Sequence, residues 1–205
     1  MAPAEANWSR LRRRLRACEE RPVQPIQRAV FRCELPPEAL LRTYVADGAY
    51  TDCYATNVAA SVRFADFVEA FYTTAPFKAE RLALGLLVAK PSNDAQARRL
   101  ACGDADAFAA WRVEARAPDQ LLVCDFLART RSWLMIAPHE AGGARLYFGS
   151  AVVPAGRGRL GFPFNALLGF HQLYSRVLLG AARARVLGLA AARGEAASVS
   201  LPVRD

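Results

Sequence analysis

Between Trp111 and Val153 the side-chain pattern runs at a period of two through four short segments, and a long one-sided helical pattern follows. This succession constrains the chain more than any other feature. Trp111-Arg112-Val113-Glu114-Ala115-Arg116 alternates, Pro118-Asp119 turns, and Leu121–Leu127 and Arg131–Ala137 continue. Arg145–Val153 comes after the turn Glu140-Ala141-Gly142-Gly143. Alternation places successive side chains on opposite faces of a strand, and short turns between such segments make an antiparallel meander. From about 164 to 190, Phe164, Leu167, Leu168, Phe170, His171, Leu173, Tyr174, Val177 and Leu178 form a wide apolar face on one helix. A sheet and a helix of this kind must cover each other, which predicts an α+β layer fold.

The chain before Trp111 supplies the other layer. RAVFRCE (28–34) alternates as a short strand, and Leu35-Pro36-Pro37 predicts a short helix through Tyr44. After the turn Asp47-Gly48, residues 49–58 read as a strand with Tyr50, Asp52 and Tyr54 on one face and Thr51, Cys53 and Ala55 on the other. Ser61 suits an N-cap, and Phe64, Phe67, Val68, Phe71 and Tyr72 then recur at helical spacing up to Pro76. A second helix at about 78–90 is apolar nearly all round and is expected to be deeply buried; a short polar helix closes at Gly103. In all, five or six strands are expected. A curved sheet wrapped on the long C-terminal helix leaves an apolar space, the usual place for a small molecule, and such pockets usually exceed about 300 Å³.

With 205 residues, a single domain is expected: a basic arm at 1–22, a domain at 23–190 and a frayed tail at 191–205. The net charge of +8 sits on the ends: residues 1–32 carry +5, residues 33–175 are neutral and residues 176–205 carry +3. A neutral folded body argues against a nucleic-acid-binding domain. Arg10, Arg12, Arg13, Arg14 and Arg16, beside Trp8, Leu11 and Leu15, suit weak contact with an anionic membrane, or else a solvated arm. The longest apolar run, Leu82 to Ala89, is too short to span a membrane, and no apolar stretch follows the N-terminal arginines as in a secretory signal. Cys18, Cys33, Cys53, Cys102 and Cys124 are odd in number and contain no CxxC pair, so they read as buried thiols in a reducing cytoplasm.

The stretches CELPPEALL, AYTDCY, EAFYTTAPFKAERLALGLLVAKP, WRVEARAPDQLLV, TRSWLMIAP, GGARLYFGSAVV and LLGFHQLYSRVLL, in this order, resemble the helix-grip superfamily (START and Bet v 1-like, SRPBCC proteins). More narrowly, they resemble a bacterial family built on a domain of unknown function. The resemblance covers about residues 33–182. It implies a helix-grip fold, often with an apolar ligand cavity, and no universal catalytic residue. Fold analogy does not assign a function.

Candidate chemistry is sparse. His171, between Leu167 and Tyr174 on the apolar helix face, suits a ligand anchor or general base, or else a hydrogen-bonded core histidine. Asp52, between two tyrosines, suits an anchor or an edge-strand carboxylate facing water. Asp125 interrupts the apolar run LLVCDFL, as a cavity acid or a solvent-facing partner of Arg131, and Tyr174 is a candidate helper. Trp111, Trp133, Tyr147 and Phe170 are candidate lining residues. Tyr147 and Phe148 point to opposite faces, so only one of them lines the cavity, and the register decides which. The stripe Phe64, Phe67, Phe71 reads as core. His139-Glu140 makes a poor metal site, and neither a metal nor a cofactor is expected. Gly156-Arg157-Gly158-Arg159 lacks a phosphate-loop ending and suits a surface loop or a lid. The expected function is binding of a small hydrophobic or amphipathic molecule. The alternatives are an enzyme of the same fold using His171 on a lipid-like or aromatic substrate, and a membrane-surface or interaction module without a ligand.

Overall fold

The computed structural model describes the backbone of residues 30–88, 91–140, 142–153 and 162–199, and the side chains of these residues except 80, 83–88, 162–170 and 195–199. The strands are β1 (Phe31–Arg32), β2 (Tyr50–Val58), β3 (Ala107–Phe108), β4 (Trp111–Ala117), β5 (Gln120–Asp125), β6 (Thr130–Pro138) and β7 (Ala144–Val152). The helices are α1 (Arg42–Ala46), α2 (Phe64–Tyr72), α3 (Ala75–Val88), α4 (Asp94–Cys102) and α5 (Phe162–Val199). All seven strands join one antiparallel sheet in the order β1-β2-β7-β6-β5-β4-β3, so the architecture is α+β. The four alternating segments form the meander β4 to β7, and β2 closes onto its last strand. The register slips between Val113 and Ala115, a bulge that bends β4.

Both faces of this sheet are covered. On one face Tyr54, Val58, Leu121, Val123, Leu146 and Phe148 pack against α2, α4 and α5. On the other, Cys53, Leu122, Trp133, Met135 and Ala151 pack against Ala39 and Leu41 of the segment leading into α1 and against Tyr44 of α1. Gln120 fastens that segment. Its side-chain oxygen accepts from the Leu40 N–H and from Trp133 Nε1, both at 2.9 Å, and its amide donates to the Glu38 carbonyl at 3.0 Å. Two glycines allow close approach. A Cβ on Gly149 would lie 2.9 Å from Leu41 and 3.0 Å from Trp133, and one on Gly143, whose φ is +82°, would lie 2.1 Å from the Val58 carbonyl.

Several elements differ from the sequence reading. The β1 and β3 pairings are two residues each, and together they bring the sheet to seven strands. Turns occupy most of 36–41, and α1 starts only at Arg42, because Pro36 and Pro37 sit ahead of the helix rather than in its first turn. Ser61 is exposed; the cap position of α2 is Arg63, whose side chain makes no capping bond to the backbone. The N-cap of α4 is Asn93, in a reciprocal capping box with Gln96, and Gly103 ends that helix. Pro76 lies in the first turn of α3, where its missing N–H costs nothing. Leu82 of α3 is 67% exposed, so that helix is not apolar-packed on every side. The arm at 1–22, Cys18 and most of the Gly/Arg loop, residues 154–161, lie outside the described residues.

Within the stretch expected to fray, residues 191–199 continue α5. The helix runs to Val199, and Arg193 donates to Asp66 Oδ2 at 2.8 Å, while Arg63 reaches the same carboxylate at 2.6 and 3.0 Å. These contacts tie the start of α2 to the last turns of α5. The Arg63 bond, assisted by Arg193, holds the Asp66 carboxyl below its ordinary range although burial opposes this. An unfolded Asp titrates near 3.9, about 4, and the folded value lies lower. The stabilisation is therefore complete above that value and lost as the pH falls through the folded one. Arg63 is largely in water and Arg193 about half so, and Asp66→Asn is expected to cost only about 1 kcal/mol near neutral pH. Urea unfolding should show the gap from the wild type closing as the solution is acidified; a gap independent of pH would refute the assignment.

Candidate functional site

The cavity lies between the sheet and α5, at the end of the sheet where β5 turns into β6. It measures about 250 Å³. Its apolar wall is built from Phe71 of α2, Phe77 of α3, Trp111 of β4, Phe148 of β7 and Leu178 of α5. Phe71 and Phe148 pack with ring centres 4.8 Å apart and planes tilted by 42°, and Phe77 and Tyr72 meet edge to face at 4.9 Å. These rings hold one another, so the wall is stiff. The exposed Phe126, in the β5–β6 turn, also lines the cavity.

One wall is polar. The register sets Asp52 opposite Ser150, and Ser150 opposite Ser132. A row of one carboxylate and two hydroxyls therefore crosses β2, β7 and β6 beneath α5. Ser150 Oγ donates to Asp52 Oδ1 at 2.6 Å and lies 2.7 Å from His171 Nε2; His171 Nε2 also lies 3.6 Å from Asp52 Oδ2. The Asp52 side chain is fully buried and that of His171 is 30% exposed. A serine hydroxyl has one hydrogen. With that hydrogen on the carboxylate, Ser150 accepts from His171, so Nε2 carries a proton. Serine, histidine and aspartate are all present, but the wiring is not that of a nucleophile triad. Ser150 stands between His171 and Asp52, whereas in such a triad the histidine stands between serine and carboxylate. Ser132 is buried and lines the cavity. Ser175 Oγ donates to the His171 carbonyl at 2.9 Å, one turn along α5.

Asp52 is flanked as its strand face predicts. Burial pushes the Tyr54 phenol up, and the Asp52 charge adds to this. Burial also raises the Tyr50 phenol, partly offset by a bond from Gln172.

A scan of protein-family models and a search of curated proteins found no match to the chain.

His171, Trp111, Tyr174 and Asp125 line the cavity, and Asp52 stands behind Ser150. Asp125 is occupied with its own turn. Its Oδ1 accepts from the Arg129 and Thr130 N–H groups at 2.7 and 3.2 Å, steadying Ala128 at a φ of +57°. Arg131 does not pair with Asp125; it bonds Tyr44 Oη at 2.7 Å and Glu114 at 3.2 Å. Two expected lining residues lie elsewhere. Trp133 and Tyr147 belong to the core on the opposite face of the sheet, because the pairing of Trp133 with Gly149 and of Met135 with Tyr147 turns both outward. Of the adjacent pair, Phe148 is the one that lines the cavity. The side chain of Phe170 lies outside the described residues. Ser150 and Ser132 were not legible as site residues. Their signal is the register, which brings two serines from distant strands beside Asp52. Among the described residues no cluster of three His, Cys, Asp or Glu side chains suits a metal, and no helix is long and apolar enough to cross a membrane.

Proposed function

We propose that the chain is a helix-grip protein that binds one small, flat, amphipathic molecule between the sheet and α5. The order of strand, helices, antiparallel meander and long C-terminal helix supports the fold assignment. The observation that carries the function is a small cavity with a stiff aromatic wall on one side and a hydroxyl and an imidazole on the other. Burial of the ligand's apolar face would contribute about 25 cal/mol per Å², and His171 and Ser132 would orient its polar end. The volume is below the usual range for drug-sized ligands, which favours a single small ring system over a long lipid.

The Asp52–Ser150–His171 chain also favours a second reading, acid–base chemistry on the same ligand, with His171 passing a proton and Asp52 steadying its charge. Turnover that stops in His171→Gln while binding persists would select that reading.

The binding reading is tested with native mass spectrometry of the full chain, with naphthol as an added probe. A one-to-one complex is expected. Ser132→Phe places a ring in the cavity and should weaken the complex at least about tenfold, about 1.4 kcal/mol. Equal binding by this variant, with its fold intact, would sink the proposal.

A further inference from the structure

We propose that Cys33 and Cys53 form an oxidisable dithiol site that takes a hydroperoxide as its substrate and closes to a disulfide between β2 and the residue following β1. The site faces away from the cavity and does not depend on it. Cys33 follows the β1–β2 ladder, in which Arg32 pairs with Tyr54, and its N–H donates to the Cys53 carbonyl at 3.0 Å. The two residues therefore oppose each other as a hydrogen-bonded pair. Such pairs hold their Cα atoms about 5.5 Å apart, inside the span that disulfides bridge. The two sulfurs already touch at 3.4 Å. Forming the bond needs an approach of roughly another 1.4 Å, within reach of side-chain rotation.

The two thiols are unequal in the way a stepwise oxidation requires. Cys33 is half-buried and Cys53 is buried. Both line a depression of about 270 Å³, with Arg32, Glu34, Arg42 and Thr51 around them. An oxidant therefore reaches Cys33 first. The Cys53 bond holds the Cys33 thiol below its ordinary value and Arg145 adds to this, although burial opposes both. The same bond, with burial, pushes Cys53 up. Cys33, the more accessible thiol, is thus the attacking one and the buried Cys53 the resolving one.

The chemistry balances without a cofactor. The Cys33 thiolate attacks one oxygen of the peroxide; the O–O bond breaks, an S–O bond forms, and the other oxygen leaves as water or an alcohol once protonated. The Cys53 sulfur then attacks the Cys33 sulfenic acid. The S–O bond breaks, the S–S bond forms, and the departing hydroxide takes the Cys53 proton as water. The two thiols lose two electrons, and the peroxide gains them.

The test treats the full chain with hydrogen peroxide, alkylates the remaining thiols and maps peptides by mass. A Cys33–Cys53 linked peptide should accumulate and disappear with dithiothreitol. It should persist in Cys18→Ser and Cys102→Ser, and Cys33→Ser should abolish it. Cys53→Ala should stop Cys33 at the sulfenic acid, trapped by dimedone. This second variant keeps the site testable if the first folds poorly. No linked peptide, or oxidation of Cys33 no faster than that of the exposed Cys102, would overturn the proposal.

Discussion

Replacing Ser150 with alanine is expected to cost about 3 kcal/mol of stability, a large share of what a domain of this size has. The reason is the partner rather than the serine itself. Asp52 is wholly out of water, and Ser150 supplies the hydrogen bond to its Oδ1; Oδ2 has no hydrogen-bond partner among the described residues and meets His171 only at 3.6 Å. Removing the hydroxyl takes the 2.6 Å hydrogen bond away from a buried carboxylate, and the cost is that of a poorly compensated anion, not of one neutral hydrogen bond. Asp52→Asn alone should be milder, because a neutral amide needs less compensation. Combining it with Ser150→Ala should recover part of the loss. Urea unfolding of the wild type, both single variants and the double variant completes a cycle. A coupling above about 1 kcal/mol is expected; effects that add within roughly 0.5 kcal/mol would show that Ser150 does not support Asp52. The same variants test the site, since a His171 ring that loses Ser150 should also lose its fixed orientation and bind naphthol more weakly.

The parts of this fold that could be read in advance are those with a long period. The four alternating segments emerge as β4 to β7 within a few residues, and the Phe64–Tyr72 stripe emerges as α2. Two residues cannot display a period, so β3 left no signal and β1 is shorter than its alternating stretch. The last turns of α5 carry no apolar stripe, but AAARGEAASV is alanine-rich, and helix propensity with the Arg193–Asp66 pair extends the helix there. The site was legible only one residue at a time. Asp52 and His171 stand out because each is polar in an apolar pattern, whereas Ser150 stands out only beside them, and that neighbourhood depends on a pairing between residues 98 apart. Trp133 and Tyr147 turn away from the cavity because the sheet carries a second core on its other face. The runs LLVC in β5 and WLMI in β6 are apolar at every position, the pattern of strands buried on both faces. That pattern already left room for an outward-facing tryptophan.

Trp133 carries the second large effect. It is fully buried between the sheet and the segment holding Ala39 and Leu41, over the bare backbone of Gly149. Its indole N–H donates to Gln120, the same side chain that holds Leu40 and Glu38. Trp133→Ala would remove the largest side chain of that core and is expected to cost about 4 kcal/mol, the middle of the range for such truncations. Trp133→Phe keeps most of the apolar volume, and Gln120 retains its bond from Leu40, so a cost of about 1–2 kcal/mol is expected. The location of the loss matters as much as its size. Because this core lies on the face away from the cavity, naphthol binding by folded Trp133→Phe should match the wild type, although its denaturation midpoint falls. If Trp133 lined the ligand site, binding and stability would drop together. The two measurements on one variant thus separate the outer core from the cavity and assign the tryptophan to one of them.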